Sequence, residues 1–149
     1  LFGEEIELHI AGEGSLADAV TQRAHSDSRI SFHGFVSLDH LIKLLQTTDA
    51  VVVPSTCYEN SPTVIYESYL VGVPVIASKI GGIPELIVEG ETGLLVVPGD
   101  EQDLARAMRQ LHETRDVWWE KSDTIRAQAA KYSLKHYVDH LEKYIQEIL

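Results

Sequence analysis

Pro54-Ser55-Thr56-Cys57-Tyr58-Glu59-Asn60-Ser61-Pro62-Thr63-Val64-Ile65-Tyr66-Glu67 is the stretch whose reading decides the fold. It continues Ala50-Val51-Val52-Val53, an unbroken apolar run of the kind that forms a strand buried on both faces. The polar loop that follows closes on Ser61-Pro62, a capping residue and then a proline whose fixed φ suits the first position of a helix. Residues 63–71 then read as helix, stopped by Gly72 with Pro74 just beyond. Strand, loop and helix in this order place the loop at the carboxyl end of a strand, the edge of an open α/β sheet where ligands bind.

The same rhythm extends in both directions. Residues 6–11, 30–32, 50–54, 73–77 and 94–97 read as strands, and 16–25, 38–46, 63–71 and 101–111 as helices. The helix at 38–46 carries Leu38, Leu41, Ile42 and Leu45 on one face, and Ser37 and Asp100 stand where N-caps belong. Strands alternating with helices predict an α/β fold, a Rossmann-like parallel sheet covered by helices on both faces. From residue 113 onward only helical patterns continue, ending in a stripe of Leu134, Val138, Leu141, Ile145 and Ile148 that needs a surface to pack on. With no repeat or linker in view, residues 1–149 read as a single domain, a βα core over 1–112 and a C-terminal helical segment over 113–149.

Composition narrows the partners. The 149 residues are 44% hydrophobic, enough to bury a core, and no apolar run reaches the roughly 18 residues that cross a bilayer. The formal charge is −11, from 23 acidic and 12 basic residues, a balance that repels nucleic acid and anionic lipid. Cys57 is the one cysteine, so the chain can build neither an internal disulfide nor a thiolate metal cluster, and a cytoplasmic location is expected.

The loop and helix of the opening stretch carry the candidate chemistry. The N–H groups near Thr63 and Val64, at the start of the helix, form a natural site for a phosphate. Thr63 and Glu67 are four apart and share a face, which lets the Glu67 carboxylate accept hydrogen bonds from the vicinal hydroxyls of a ribose. Glu59 lies farther out, toward whatever group hangs from the phosphates. A second junction, Ser78-Lys79-Ile80-Gly81-Gly82-Ile83-Pro84-Glu85, follows the next strand, and its paired glycines should line the same crevice. A third, Gly12-Glu13-Gly14-Ser15, lacks the last glycine of the dinucleotide fingerprint.

Each of these has a plainer reading. Glu59 and Glu67 alone would be solvated acids, and the glycine pairs ordinary turns. His136 and His140 are a turn apart without a third ligand for a metal. Cys57 has no basic neighbour to activate it. Trp118-Trp119 and the Tyr137, Leu141, Tyr144 stripe read as helix packing before they read as carbohydrate platforms.

Taken together, the motifs resemble the donor-binding domain of family 4 retaining glycosyltransferases, which have the two-Rossmann-domain GT-B architecture. Glu59 and Glu67 match that family's E-x7-E spacing, and Gly72-Val73-Pro74-Val75-Ile76-Ala77, Gly81-Gly82-Ile83-Pro84-Glu85 and Gly90-Glu91-Thr92-Gly93-Leu94-Leu95 follow in its order. Phe32-His33-Gly34-Phe35-Val36 matches more loosely. The resemblance implies that Glu67 binds ribose and that Glu59 contacts the transferred sugar as the catalytic residue. It further implies that Glu59, Asn60, Ser61, Pro62, Thr63 and Val64 hold sugar and diphosphate, that Phe35 and Val36 flank the base, and that Gly12, Gly14, Gly81 and Gly82 line the cleft. The implied reaction moves a hexose from a nucleoside-diphosphate sugar to an acceptor hydroxyl with retention, with no cofactor and no metal.

The family's Arg and Lys on the first strand-loop unit of this domain have no counterpart here. The chain opens on what reads as the tail of a helix, which implies a first βα unit and an acceptor-binding domain upstream. That absent N-terminal domain would select a glycan, lipid or other hydroxyl acceptor and decide any attachment to the inner membrane face, and the fragment alone is expected to be inactive. Two other readings stay open at this point: a nucleotide-sugar epimerase of the same architecture, and a nucleotide-sugar-binding module without transfer activity.

Overall fold

The structure, a computed structural model, describes residues 6–148. Residues 1–5, read above as the tail of a helix, lie outside the described residues. The chain divides into two compact units, Leu1–Leu44 and Leu45–Leu149.

The first unit is built on two parallel strands, β1 (Leu8–Ala11) and β2 (Ile30–Gly34), paired from Leu8 opposite Ile30 to Ala11 opposite Gly34. Helix α1 (Ala17–Ser26) makes the crossover between them, and α2 (Leu38–Gln46) follows β2. The Asp27 side chain closes the turn before β2: its carboxylate accepts from the Arg29 backbone at 3.2 Å and from the Arg29 guanidinium at 2.9 and 2.7 Å. These hydrogen bonds hold the Asp27 carboxyl well below the usual carboxylate range. Ser37 caps α2 only through a long bond, 3.4 Å from the His40 amide.

The second unit holds three parallel strands in the order β3 (Val51–Val53), β4 (Val75–Ser78), β5 (Gly93–Val96). Alternation along each strand sends side chains to two separate cores. On one face Val53, Val75 and Ala77 pack with Ile65 and Tyr69 of α3 (Thr63–Val71), Ile83 and Leu86 of α4 (Ile83–Leu86), and Ile125 of α7 (Ser122–Ala130). On the other, Ile76, Leu94 and Val96 pack with Ala107 and Leu111 of α5 (Glu101–Glu113) and Trp118 of α6 (Arg115–Glu120). Helices thus cover both faces of this sheet, as the unbroken apolar strands require.

Local chemistry sets the boundaries. Asp100 caps α5, its side chain accepting from the amides of Gln102 and Asp103. Gly72 ends α3 with φ +81°, and the Ser68 hydroxyl donates to the Val73 carbonyl beneath it. Because Gly72 and Pro74 turn the chain, β4 begins at Val75, two residues later than the pattern suggested. Buried Tyr69 donates to the Leu86 carbonyl and pairs with the Thr92 hydroxyl, both at 2.9 Å, and burial pushes its pKa up to about 12. Helix α7 ties down the same region: Ser122 donates to the Gly72 carbonyl at 3.1 Å and Arg126 to that of Val71 at 3.1 Å. The last helix, α8 (Leu134–Ile148), leaves its apolar stripe exposed throughout. Of the tryptophan pair, Trp118 is in the core and Trp119 is on the surface beneath Arg115.

Two outcomes test this packing. A Cβ at Gly72 would stand 2.5 Å from Arg126 Nη1 and 2.9 Å from the Ser122 carbonyl oxygen, in a backbone region that L-residues avoid. Gly72→Ala is therefore expected to lower stability by about 1–2 kcal/mol, read as a lower urea midpoint. In the first unit, His33 on β2 lies 2.9 Å from His9 on β1 and edge-on to His40 on α2, while Glu7 approaches His9 at 3.8 Å. Desolvation first, and then the two histidines, hold His33 below the usual imidazole pKa. Its contribution is complete above the unfolded value near 6.5 and declines as pH falls below it, because the unfolded chain then binds more protons. Amide protection factors in β1 and β2, which correct for the intrinsic slowing of exchange in acid, should fall from pH 7 to 5.5, and His33→Gln should flatten that dependence.

Candidate functional site

In a parallel sheet every strand ends at the same edge, so the loops after β3 and β4 emerge side by side. They pack backbone against backbone. The Gly82 amide donates to the Glu59 carbonyl at 2.9 Å. A Cβ at Gly81 would lie 2.2 Å from that same oxygen, and one at Gly82 would lie 2.2 Å from the Asn60 carbonyl oxygen. No side chain fits in either place, so the glycine pair is what lets the two loops meet.

Glu59 is half-buried between them, and the Ser55 hydroxyl donates to its Oε1 at 2.5 Å. This bond spans four residues of loop and fixes the carboxylate relative to the end of β3. Ser55 was not singled out from the sequence; a hydroxyl four residues before an acid carries no signal outside a helix.

The loop then enters α3, whose N-cap position is Pro62 with no side-chain hydrogen bond. Ser61, expected to cap this helix, instead shares a short hydrogen bond with the Tyr66 hydroxyl. Its oxygen is drawn sideways to a phenol five residues on, and the first-turn amides keep no capping partner from it. Asn60, Ser61 and Thr63 are exposed, while Val64 tucks against the core. Glu67 is half-buried one turn beyond Thr63, and among the described residues no donor reaches its carboxylate. Cys57 is exposed in the same loop.

The structure therefore brings together Glu59, Asn60, Gly81, Gly82 and the start of α3 within the second unit. In the first unit, Gly12 and Gly34 meet at the carboxyl edge of β1 and β2, the Gly12 amide donating to the Gly34 carbonyl at 2.7 Å. Gly12 has φ +136°, Gly14 is exposed in the turn before α1, and Phe35 projects from the strand end with 77% of its surface open beside half-buried Val36. Among the described residues no group of three or more His, Cys, Asp or Glu could hold a metal ion.

Comparison with known proteins places this geometry. Residues 2–114 match the family described as glycosyl transferases group 1. A glycogen synthase of Mycobacterium tuberculosis is 38% identical over 107 residues, 70% of this chain and 26% of that protein. The alpha-D-kanosaminyltransferase of Streptomyces kanamyceticus is 31% identical over 153 aligned residues, 98% of this chain and 39% of that protein. Among solved structures, Anabaena Alr3699/HepE in complex with UDP superposes with a TM-score of 0.81 at 25% identity, over 97% of this chain and 42% of that one. Sucrose-phosphate synthase from Thermosynechococcus elongatus shares the fold at a TM-score of 0.79 and 24% identity, over 95% of this chain and 38% of that one. The chain thus spans less than half the length of each of these relatives. Matched over residues 2–114 and superposed along nearly its whole length, the chain belongs to the glycosyl transferases group 1 family and has the Rossmann-like α/β fold of GT-B glycosyltransferases.

Proposed function

We propose that this chain is the nucleotide-sugar-binding part of a retaining, family 4 type hexosyltransferase, with Glu67 binding the donor ribose and Glu59 meeting the transferred sugar. The observation that carries this reading is the pair of interlocked loops, with the Glu59 carboxylate held by Ser55 in the same loop that runs into the uncapped start of α3. A diphosphate at that helix end would accept from the amides near Thr63 and Val64, with Asn60, Ser61 and Pro62 shaping the approach. Glu67, one turn in and without an internal partner, is free to accept from the ribose hydroxyls. In the first unit, Phe35 and Val36 take the base, and Gly12 and Gly14 permit close approach of the ligand to the backbone.

The chemistry asked of such a site is mainly positioning and stabilisation of the departing diphosphate. No metal, cofactor or covalent nucleophile is assigned. The structure of Anabaena HepE with UDP and glucose supports a donor of this class. The acceptor, a glycan, lipid or other hydroxyl compound, would be chosen by a second domain of the whole enzyme, and this chain alone would not catalyse transfer.

Ligand-detected NMR with UDP-, GDP- and ADP-sugars tests the assignment. One nucleotide series should give contacts that Glu67→Ala abolishes; contacts that persist unchanged in Glu67→Ala would overturn the ribose role. Gly82→Ala supplies a structural test, because its Cβ must displace the Asn60 carbonyl. Donor contacts should weaken at least tenfold and stability should fall by about 1–3 kcal/mol, read by the same NMR titration and by urea unfolding.

A further inference from the structure

Beside α3, but on another side of it, lies an open groove of about 530 Å³ lined by half-buried Tyr66 and by Lys131, Tyr132, His136, Tyr137 and His140, which are exposed. That volume falls in the range of small-molecule sites. Five of its six lining residues are rings. Tyr66 and Tyr132 meet edge to face at 4.8 Å between centroids, and the His136 and His140 rings are 4.4 Å apart.

The polar atoms are arranged to receive a ligand. His140 Nδ1 lies 3.3 Å from the His136 carbonyl oxygen, which leaves Nε2 without a partner within the helix. Gln128 donates to the Tyr132 hydroxyl at 3.5 Å, which leaves the phenol's own O–H to donate. Lys131 adds an ammonium group, and no carboxylate lines the cavity, although the chain as a whole carries a net charge of −11. Here the balance of charge runs opposite to the rest of the molecule.

At 100° per residue, His136 and His140 lie roughly 150° around α8 from the line of Leu134, Val138, Leu141 and Ile145, while Tyr137, at the edge of that apolar stripe, also lines the site. Aromatic faces and edges, imidazole nitrogens, a phenolic donor and one cation match the surface of a pyranose that carries a negative charge.

We propose that this cavity binds an anionic sugar, a pyranose bearing a phosphate or a carboxylate, at a site separate from the one assigned to the donor nucleotide. Through the shared hydrogen bond of Tyr66 with Ser61, occupancy would be felt in the loop that leads into α3. The site stands on its own residues and does not require the donor reading.

The test is an NMR titration of the 149-residue protein with glucose 6-phosphate, glucuronate, neutral glucose and inorganic phosphate, following the tyrosine ring resonances. Both anionic sugars, or one of them, should shift Tyr66, Tyr132 and Tyr137 saturably and bind at least tenfold more tightly than glucose; which one binds identifies the anion. Lys131→Gln should remove that tenfold preference while leaving the glucose response as it was. Tyr137→Leu, at a residue 65% exposed and so harmless to folding, should weaken binding of every sugar. The proposal falls if no sugar shifts these rings, if Lys131→Gln leaves the preference intact, or if inorganic phosphate alone reproduces the shifts.

Discussion

The close approach of the Glu59-Asn60 backbone to Gly81-Gly82 is the constraint on which the candidate site depends. At 2.2 Å from a carbonyl oxygen there is no room for a methyl group, so two glycines are the condition for two loops to share one edge of the sheet. The benefit of the contact is positional. Loops separated by α3 and β4 are joined directly through their backbones, and Ser55 then holds the Glu59 carboxylate there. A similar economy appears where Gly93 of β5 passes Val75 of β4, leaving 2.0 Å between a notional Cβ and the Val75 carbonyl oxygen.

Behind the lip the two cores divide the labour. The face containing Ile65, Tyr69 and Ile83 holds α3 and α4, the two helices that follow the site loops, whereas the opposite face holds α5 and α6. Tyr69 joins the first of these to the Thr92 turn by hydrogen bonds that would be unsatisfied in an apolar environment, so its position along α3 is set by geometry as well as by volume. Registry of α3 against the sheet in turn sets where Thr63 and Glu67 stand.

Much of this was legible in the sequence. Apolar strands without alternation implied a sheet covered twice, and the bounds of α2 and α3 emerge where leucine spacing, Pro62 and Gly72 put them. The glycine pair was recognised as a place of close approach because glycine has few other reasons to be doubled at a strand end. Illegible were the contacts made across sequence distance: the diversion of Ser61 to Tyr66, the stacking of His9 on His33, and the meeting of Tyr66 with Tyr132. Periodicity reports which face of an element is apolar, and is silent on which polar group finds which partner. The same limit explains Ser61, whose local pattern was that of a cap until a phenol competed for its hydroxyl.

That competition bears on the conflict between an acidic chain and a diphosphate ligand. On the proposed reading a chain of net charge −11 receives two phosphates, and side-chain cations are scarce along the loop after β3. Helix α5 shows what becomes of an N-terminus when a carboxylate caps it: Asp100 takes the amides of Gln102 and Asp103 and sets a negative charge where an anion would otherwise sit. At α3 the residue before the helix is a proline without a side-chain acceptor, and the serine before that is bound elsewhere. The first-turn amides then offer their partial positive charge outward, at a place where the backbone, and not the overall charge, decides what binds. An acidic exterior and an anion-accepting helix end are compatible for this reason: the first acts over a Debye length that salt shortens, the second over a hydrogen bond that salt hardly reaches.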